Sequence, residues 1–483
     1  MRKIIQANID QIFFFPPSID EWIGPDHPAR FVHGFLQTQD LAVLGLDTLK
    51  REEGGVAFDP SLLLGVWLYG YFRGITSHRK LELACREEMG FLWLTGNTRP
   101  DHNALWRYWD AHHTALRALF KQTIRLACQM DMVGFVEQAL DGTKIQARCS
   151  AYGTHDKPSL EKRLARADER IAQLEQQIKQ AGEQTSAALP KQLQDKRTLK
   201  VQIQHALAEL EKGERKHAHP KEPEAQRMKT DKGFKFGHNA QAMVDEKHNI
   251  IVEAAIAGEP TDQHQLNPML EQAKQTREEL AVQTTPLTKA DTGYATISEL
   301  QKAKEHAQPV QTPPPIRWSD ISDPLHSAHF EYDEKARVVR CPQGHELKPG
   351  RRYNKSGRDV VVYSNAGACA KCPLKEKCTP QSPARRIEVC AYRKDLEQLA
   401  HNYQTPEYRQ TYQRRAKIIE PVFARIKQHQ GFRRWSYFGE AKVKSQWQML
   451  CSVFNLKQIY GKWKKQVGRP ESPGASDASA AVA

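Results

Sequence analysis

Phe135-Val136-Glu137-Gln138-Ala139-Leu140-Asp141-Gly142-Thr143 is the stretch on which the fold turns. Residues 135–140 are a short, mainly apolar stretch, broken by Glu137 and Gln138, which predicts a strand ending at Asp141. Asp-Gly is also a hairpin-turn dipeptide, so this aspartate carries little weight alone. The downstream pattern adds weight. Residues 237–244 and 249–257 are strand-like, and the turn-rich Asp245-Glu246-Lys247-His248 between them makes the pair a hairpin by spacing. Thr261 or Asp262 is placed to cap a helix running to about Leu280. Residues 285–290 form the next short strand, and it ends at Asp291 in Ala290-Asp291-Thr292-Gly293-Tyr294.

An aspartate closing a first strand, a hairpin, a helix and a further strand closing in aspartate match the layout of a ribonuclease-H-like mixed sheet. Glu420, in Ile419-Glu420-Pro421-Val422, completes it from a late helix. In open α/β sheets, sites form at strand ends and in the loops beyond them. Three converging carboxylates make a seat for a hard divalent cation such as Mg2+. Two such ions (Mg2+ or Mn2+), about 3.5–4 Å apart, serve an in-line phosphodiester displacement without a covalent enzyme intermediate. Asp141, Asp291 and Glu420 are therefore the candidate catalytic and magnesium-binding residues.

Charge points the same way. The 483 residues carry 71 Lys and Arg against 57 Asp and Glu, a net of +14. Residues 385–434 hold twelve basic against five acidic side chains, so half of the excess surrounds Glu420. A basic surface of this kind suits a polyanion. Tyr412, Arg414, Arg415 and Lys427 are the candidate DNA-binding residues there, arginine for bidentate phosphate contact and lysine as a point charge. Glu420 and Lys427 are seven apart and share a face on a continuous helix. Pro421 either kinks that helix or restarts it as a first-position proline. No apolar run reaches the roughly 18 residues of a membrane helix. No signal peptide is evident, and the cysteines do not form a secreted disulfide framework. Cytoplasmic residence is expected.

Other segments have their own texture. Residues 1–135 read as several short helices, compatible with a helix-turn-helix DNA reader or a plain bundle. Leu160, Leu164, Ala167, Ile171, Leu174 and Ile178 form a heptad seam, continued less regularly by Leu193, Leu199, Ile203, Leu207 and Leu210. The seams predict an antiparallel helical hairpin, with dimerisation as the rival reading. Cys369, Cys372 and Cys378 make a C-x2-C-x5-C trio. Cys341 is the fourth candidate ligand for a structural Zn2+, with His345 competing for that place; metal-free thiols packed in a small core are the alternative.

Together these residues resemble the DDE-type transposases of bacterial insertion sequences. The resemblance rests on Phe15-Pro16-Pro17-Ser18, Asp26-His27-Pro28-Ala29-Arg30, Asp141-Gly142-Thr143, Asn239-Ala240-Gln241 and Glu259-Pro260-Thr261-Asp262-Gln263. It continues through Asp291-Thr292-Gly293-Tyr294, the cysteine block, Glu420-Pro421-Val422-Phe423 and Gly431-Phe432-Arg433-Arg434. It implies a ribonuclease-H-like core with Asp141, Asp291 and Glu420 as the metal triad, and an N-terminal domain that helps recognise transposon ends. It also implies a tyrosine, arginine, glutamate, lysine signature, matched here by Tyr412, Arg415, Glu420 and Lys427. The Arg-to-Glu interval is one residue longer than usual, and Arg414 competes for the arginine place.

The expected fold is α/β, or α+β across several domains. A helical end-binding domain covers 1–135, and the catalytic core covers 136–155 and 233–310. A coiled-coil hairpin is inserted at 156–232 and an irregular cysteine-rich segment at 311–395. Residues 396–467 return to the core with the glutamate, and 468–483 form a disordered tail. The expected activity is binding of terminal inverted repeats, metal-dependent strand cleavage and strand transfer. The expected partners are double-stranded DNA and a second copy of the chain on the paired end, with no membrane. An inactive or repurposed transposase acting only as a DNA-binding protein is the alternative, and a helical scaffold with an interaction arm is a third.

Overall fold

The computed structural model describes residues 18–47, 57–150, 153–181, 188–212, 215–230, 233–315, 323–355 and 358–467. Phe15-Pro16-Pro17 and the tail 468–483 lie outside these residues. The chain forms two compact units. One takes the described residues of Met1–Met130, Ile426–Tyr437 and Ala441–Ala483; the other takes those of Asp131–Arg425 and Phe438–Glu440.

The first unit opens with helices α1 (Pro28–Gln37), α2 (Pro60–Phe72), α3 (His78–Glu87), α4 (Met89–Leu94), α5 (His102–His112) and α6 (Leu116–Gln129). Local chemistry sets their starts. Asp59 accepts from Ser61 N at 2.6 Å and Leu62 N at 3.2 Å, with Pro60 at the first helical position. Asp101 likewise caps α5 through Ala104 N at 2.7 Å. Residues 63–71 of α2 are buried on every side, so this helix is the centre of its unit. Its Trp67 packs on Trp109 at 4.9 Å and donates to Leu105 O at 3.1 Å.

The second unit is built on a mixed sheet of β1 (Glu137–Gln146), β2 (Gln226–Thr230), β3 (Gly233–Asp245), β4 (Ile251–Ala257), β5 (Leu287–Lys289) and β6 (Val310–Gln311). β1 pairs antiparallel with β3, which also pairs antiparallel with β2 and β4. On its other edge β1 runs parallel to β5, and β5 parallel to β6. β1 is longer than its apolar run predicts. It does not stop at Asp141 but continues to Gln146, because Thr143 and Ile145 keep the buried alternation going and pairing persists to Gln146 opposite Gly237. Asp141 is therefore mid-strand, opposite Ala242. β5 pairs with β1 only over residues 137–139, so Asp141 lies beyond the last paired residue on that edge.

Between β1 and β2 the chain forms α7 (Lys157–Ala181) and α8 (Ala188–Glu211). They run antiparallel, with Leu160, Ile203, Ala206 and Leu210 in one apolar cluster. Ion pairs Asp168–Lys200 and Glu175–Arg197, both 2.7 Å, keep the same register. α9 (Leu266–Glu279) and α10 (Ile297–Glu305) flank β5 in the chain. The segment whose sequence predicts irregular structure instead holds a second sheet of β7 (Glu331–Asp333), β8 (Val338–Arg340), β9 (Glu346–Lys355), β10 (Arg358–Ser364) and β11 (Ile387–Val389). Its order is β11-β10-β9-β8-β7, antiparallel throughout. Its strands are short or heavily charged, so alternation is hard to see: Leu347 is buried on β9 amid exposed Lys348, Arg351 and Arg352. Two short helices, α11 (Ala366–Ala370) and α12 (Lys375–Cys378), lie between β10 and β11 in the chain, and α13 (Arg393–Gln404) and α14 (Pro406–Ala424) come after β11.

Pro421 neither ends α14 nor restarts it; the helix runs through it to Ala424. A π-helical turn, Arg425–His429, comes next. Pro421 removes a donor from the ladder, and proline and π turns are each sites where helices bend. The wider turn changes the helical phase, so the seven-residue interval from Glu420 to Lys427 no longer implies a shared face. Sequence patterning assigns the last helix, α15 (Glu440–Val467), to the core with Glu420. Its contacts instead lie with the N-terminal helices: Phe31 meets Tyr460 and Trp463, each at 5.5 Å, and Gln446 donates to Tyr71 at 2.9 Å. Among the described residues no helix is long and apolar enough to cross a membrane.

One buried ion pair links the strands beneath the candidate site. Lys289 Nζ on β5, fully buried, stands 2.5 Å from Glu137 Oε2 on β1. Removing one partner strands the other charge. Glu137→Ala should lower stability to urea denaturation by about 3–5 kcal/mol, and Glu137→Leu with Lys289→Met should recover most of it. Equal losses in both would contradict this role.

Candidate active site

Asp141 is the centre of the site. Its Oδ2 is 2.9 Å from Arg415 Nη2 of α14, and its Oδ1 accepts from its neighbour Gly142 N at 2.8 Å. Burial pushes its pKa up to about 6; Arg415 opposes the rise, while the charges of Asp291 and Asp262 add to it. Asp141 and Asp291, far apart in sequence, are thus brought into one electrostatic neighbourhood. Asp291 follows β5 and caps the 3-10 turn Thr292–Tyr294, accepting from Gly293 N at 2.7 Å.

The sequence offers Asp262 as a cap for α9, but Gln265 holds that place without a side-chain bond. The Asp262 carboxylate instead takes Asn239 Nδ2 and Gln241 Nε2, both at 2.7 Å. Gln241 Oε1 accepts the hydroxyl of buried Tyr294. These residues approach β1 at Gly142, whose side of the strand is opposite to that of Asp141. A Cβ at residue 142 would stand 2.5 Å from Gln241 Nε2 and 2.6 Å from Asp262 Oδ1. Glycine is required there by close approach. Asn239 Oδ1 is buried and, among the described residues, has no hydrogen-bond partner. Asp262, Asn239, Gln241 and Tyr294 all lie in motifs that carried the family resemblance, but spacing alone assigns them no role.

The remaining candidate residues are distributed unevenly. Arg415 is mostly buried against Asp141, whereas Arg414 is 60% exposed and reaches Glu137 only at 3.9 Å. The geometry therefore separates the two arginines. Tyr412 lies close enough for its hydroxyl to feel Arg415, Asp291 and Asp141, although burial is the main cause that pushes it up to about 12. Glu420 is exposed on α14, and it is not among the charges that act most on Asp141. The structure does not bring it to the two aspartates. Lys427 falls in the π turn, within the segment that groups with the first unit.

In the second sheet, Cys341, Cys369, Cys372 and Cys378 line a single cavity with His345 and Arg385. Burial raises the Cys378 thiol, Arg385 lowers it, and the other three sulfurs raise it further.

Among the described residues no group of three or more His, Cys, Asp or Glu side chains is arranged so as to hold a metal ion. At the aspartates the reason is visible. Asp141 is engaged by Arg415 and Gly142 N, Asp291 by its own turn, and Asp262 by two amides. The donor chemistry nevertheless fits a hard divalent cation: carboxylates whose mutual repulsion Arg415 only partly offsets, at the end of the β1–β5 pairing.

Two family models match parts of the chain. A transposase domain (DUF772) covers residues 17–111, and a transposase DDE domain covers residues 340–460. The second match takes in the four cysteines, Arg415 and Glu420 but neither Asp141 nor Asp291. No curated protein matches the chain.

Two measurements probe this geometry. Because the folded pKa of Asp141 is raised, the native state binds its proton more tightly than the unfolded chain. That stabilisation is full below about pH 4 and is lost as pH rises through about 6. In chelator, the stability of Asp141→Asn relative to wild type should rise between about pH 4 and pH 8 by on the order of 1–3 kcal/mol; a flat difference would contradict it. Gly142→Ala should destabilise by about 1–3 kcal/mol, through overpacking against Asp262 and Gln241. A thermal melt unchanged from wild type would contradict that.

Proposed function

From its membership of the DDE-type transposases of insertion sequences, we propose that the chain binds the terminal inverted repeats of its element, cleaves there and joins the freed 3′ ends to target DNA. The observation that carries this reading is the convergence of Asp141 and Asp291, with Arg415 across from them. The sheet supports it: the path β4–β3–β1–β5–β6, antiparallel up to β1 and parallel beyond, is what a ribonuclease-H-like core requires.

Asp141 and Asp291 are the residues that would hold magnesium or manganese, with Glu420 as the third ligand. When bound, the metal supplies the charge that activates the attacking oxygen and steadies the leaving oxygen of a phosphodiester displacement. Arg415 neutralises Asp141 in the resting protein and is freed to meet a backbone phosphate when the carboxylate takes another partner. Arg415 and Glu420 belong to one helix, so release of the first and delivery of the second are movements of the same element. Tyr412, Arg414 and Lys427 extend the phosphate-binding surface. Two protomers on paired ends suit a reaction that joins both ends together.

Binding without cutting is the second reading, and the exposure of Glu420 favours it. Strand-cleavage assays on end-containing DNA with Mg2+ or Mn2+ separate the two. Asp141→Asn, Asp291→Asn and Glu420→Gln should each reduce cleavage to background while DNA binding persists. Cleavage like wild type in all three would exclude the triad, and a wild-type protein that binds but never cuts would select the second reading. Binding should weaken steeply with salt, and Arg414→Ala should reduce the slope of log K against log salt by about 1. An unchanged slope would remove Arg414 from the phosphate contacts.

A further inference from the structure

The second sheet has a small apolar core: Phe330, Val339, Leu347, Tyr363, Ile387 and Val389, with Cys341 and Cys378 packed at its margin. A core of this size stabilises little, and small folds of this kind are commonly stapled by disulfides or a metal. No disulfide joins these cysteines, and Cys341, Cys369, Cys372 and Cys378 are all half-buried rather than sealed in.

Their backbone settings are those of turns that present sulfur. Cys341 comes just after β8 in a tight turn where Gly344 N donates to Cys341 O at 2.8 Å and Cys341 N to His345 O at 2.9 Å. Gly344 has φ of +77°, a conformation that favours glycine. Cys369 and Cys372 close the end of α11, with Cys372 N donating to Cys369 O at 3.2 Å. Cys378 ends α12, its N–H on Leu374 O at 2.8 Å. Two separate chain segments thus deliver four sulfurs to a cavity of about 30 Å³. That is room for about two waters, at roughly 10–15 Å³ of such space for each, and it admits one ion ligated at about 2.3 Å per sulfur.

We propose that this cavity is a structural zinc site, with Cys341, Cys369, Cys372 and Cys378 as tetrahedral thiolate ligands that pin the β8–β9 turn to the α11–α12 segment. Four sulfur donors select a soft or borderline ion over magnesium. Arg385, which lines the cavity and donates to Cys378 O at 3.2 Å, offsets part of the negative charge of four thiolates. The sulfurs do not already stand as a ready ligand set; binding requires rotation of half-buried cysteine side chains, two of them at the margin of the apolar core. Each thiol gives up its proton as the ion binds, and no oxidation is involved. His345 lines the same cavity but is left as an outer partner, because four cysteines complete a closed structural site.

The test is elemental analysis of the full-length chain purified without chelator, with zinc expected at about one equivalent. Cys372→Ser and Cys378→Ser should lose it, while Cys390→Ser, outside the cavity, should keep it. Because a ligand variant can fail to fold, the wild-type protein is also exchanged into cobalt. The intense visible bands of tetrahedral thiolate-bound Co2+ are expected. Less than about half an equivalent of zinc in wild type, iron in its place, or cobalt bands of an octahedral oxygen site would overturn the proposal. Metal content is read without DNA, so failure here leaves the transposition reading intact, and the reverse also holds.

Discussion

A half-buried carboxylate in the middle of β1 is the constraint around which the second unit is arranged. Asp141 is desolvated, repelled by Asp291 and Asp262, and relieved by Arg415 and by the backbone N–H of Gly142. Such an arrangement is expensive for a resting protein, and perturbed carboxylates of this kind cluster where chemistry is done. The surroundings reflect it. β5 pairs with β1 only as far as residue 139, leaving the Asp141 edge open, and α14 lies where its arginine reaches that edge. The Glu137–Lys289 pair joins β1 to β5 just below it.

On the opposite side of β1, Gly142 makes room for a polar layer that is nearly complete in hydrogen bonds. Asn239 and Gln241 fix Asp262, and Tyr294 fixes Gln241. The gap in it is Asn239 Oδ1. This layer ties β3 to the loop before α9 and to the turn after Asp291, so it holds the Asp291 backbone in relation to β1. Glu420 has no comparable layer around it: it is exposed on α14, next to Pro421 and one turn before the π-helical Arg425–His429. The two aspartates are held by strands and turns of the sheet, and the glutamate stands on the exposed face of a helix whose Ile419 and Val422 are buried.

Much of this architecture is legible in the residues. Caps at Asp59 and Asp101 mark helix starts, heptad spacing marks the α7–α8 pair, and the short stretches before Asp141 and Asp291 mark β1 and β5. Where sequence and structure part, the reasons are physical. Asp141-Gly142 looks like a strand end, yet Gly142 is retained inside β1 because a side chain there would collide with Asp262. Asp262 looks like a helix cap, yet long-range amides claim it. The second sheet is hidden because β7, β8 and β11 are only three residues long and β9 exposes neighbouring charges such as Arg351 and Arg352. The grouping of α15 with the N-terminal helices depends on contacts more than 300 residues apart in sequence, such as Gln446 with Tyr71, and no local pattern encodes them.

The central claim is that Asp141 and Asp291 jointly seat a divalent metal. Crystals of the full chain soaked in Mn2+, with anomalous diffraction recorded at the manganese edge, test it most directly. The account predicts an anomalous peak between the Asp141 and Asp291 carboxylates, with Arg415 turned away from Asp141. A map with no manganese at these two residues, while Arg415 still holds Asp141, would contradict it.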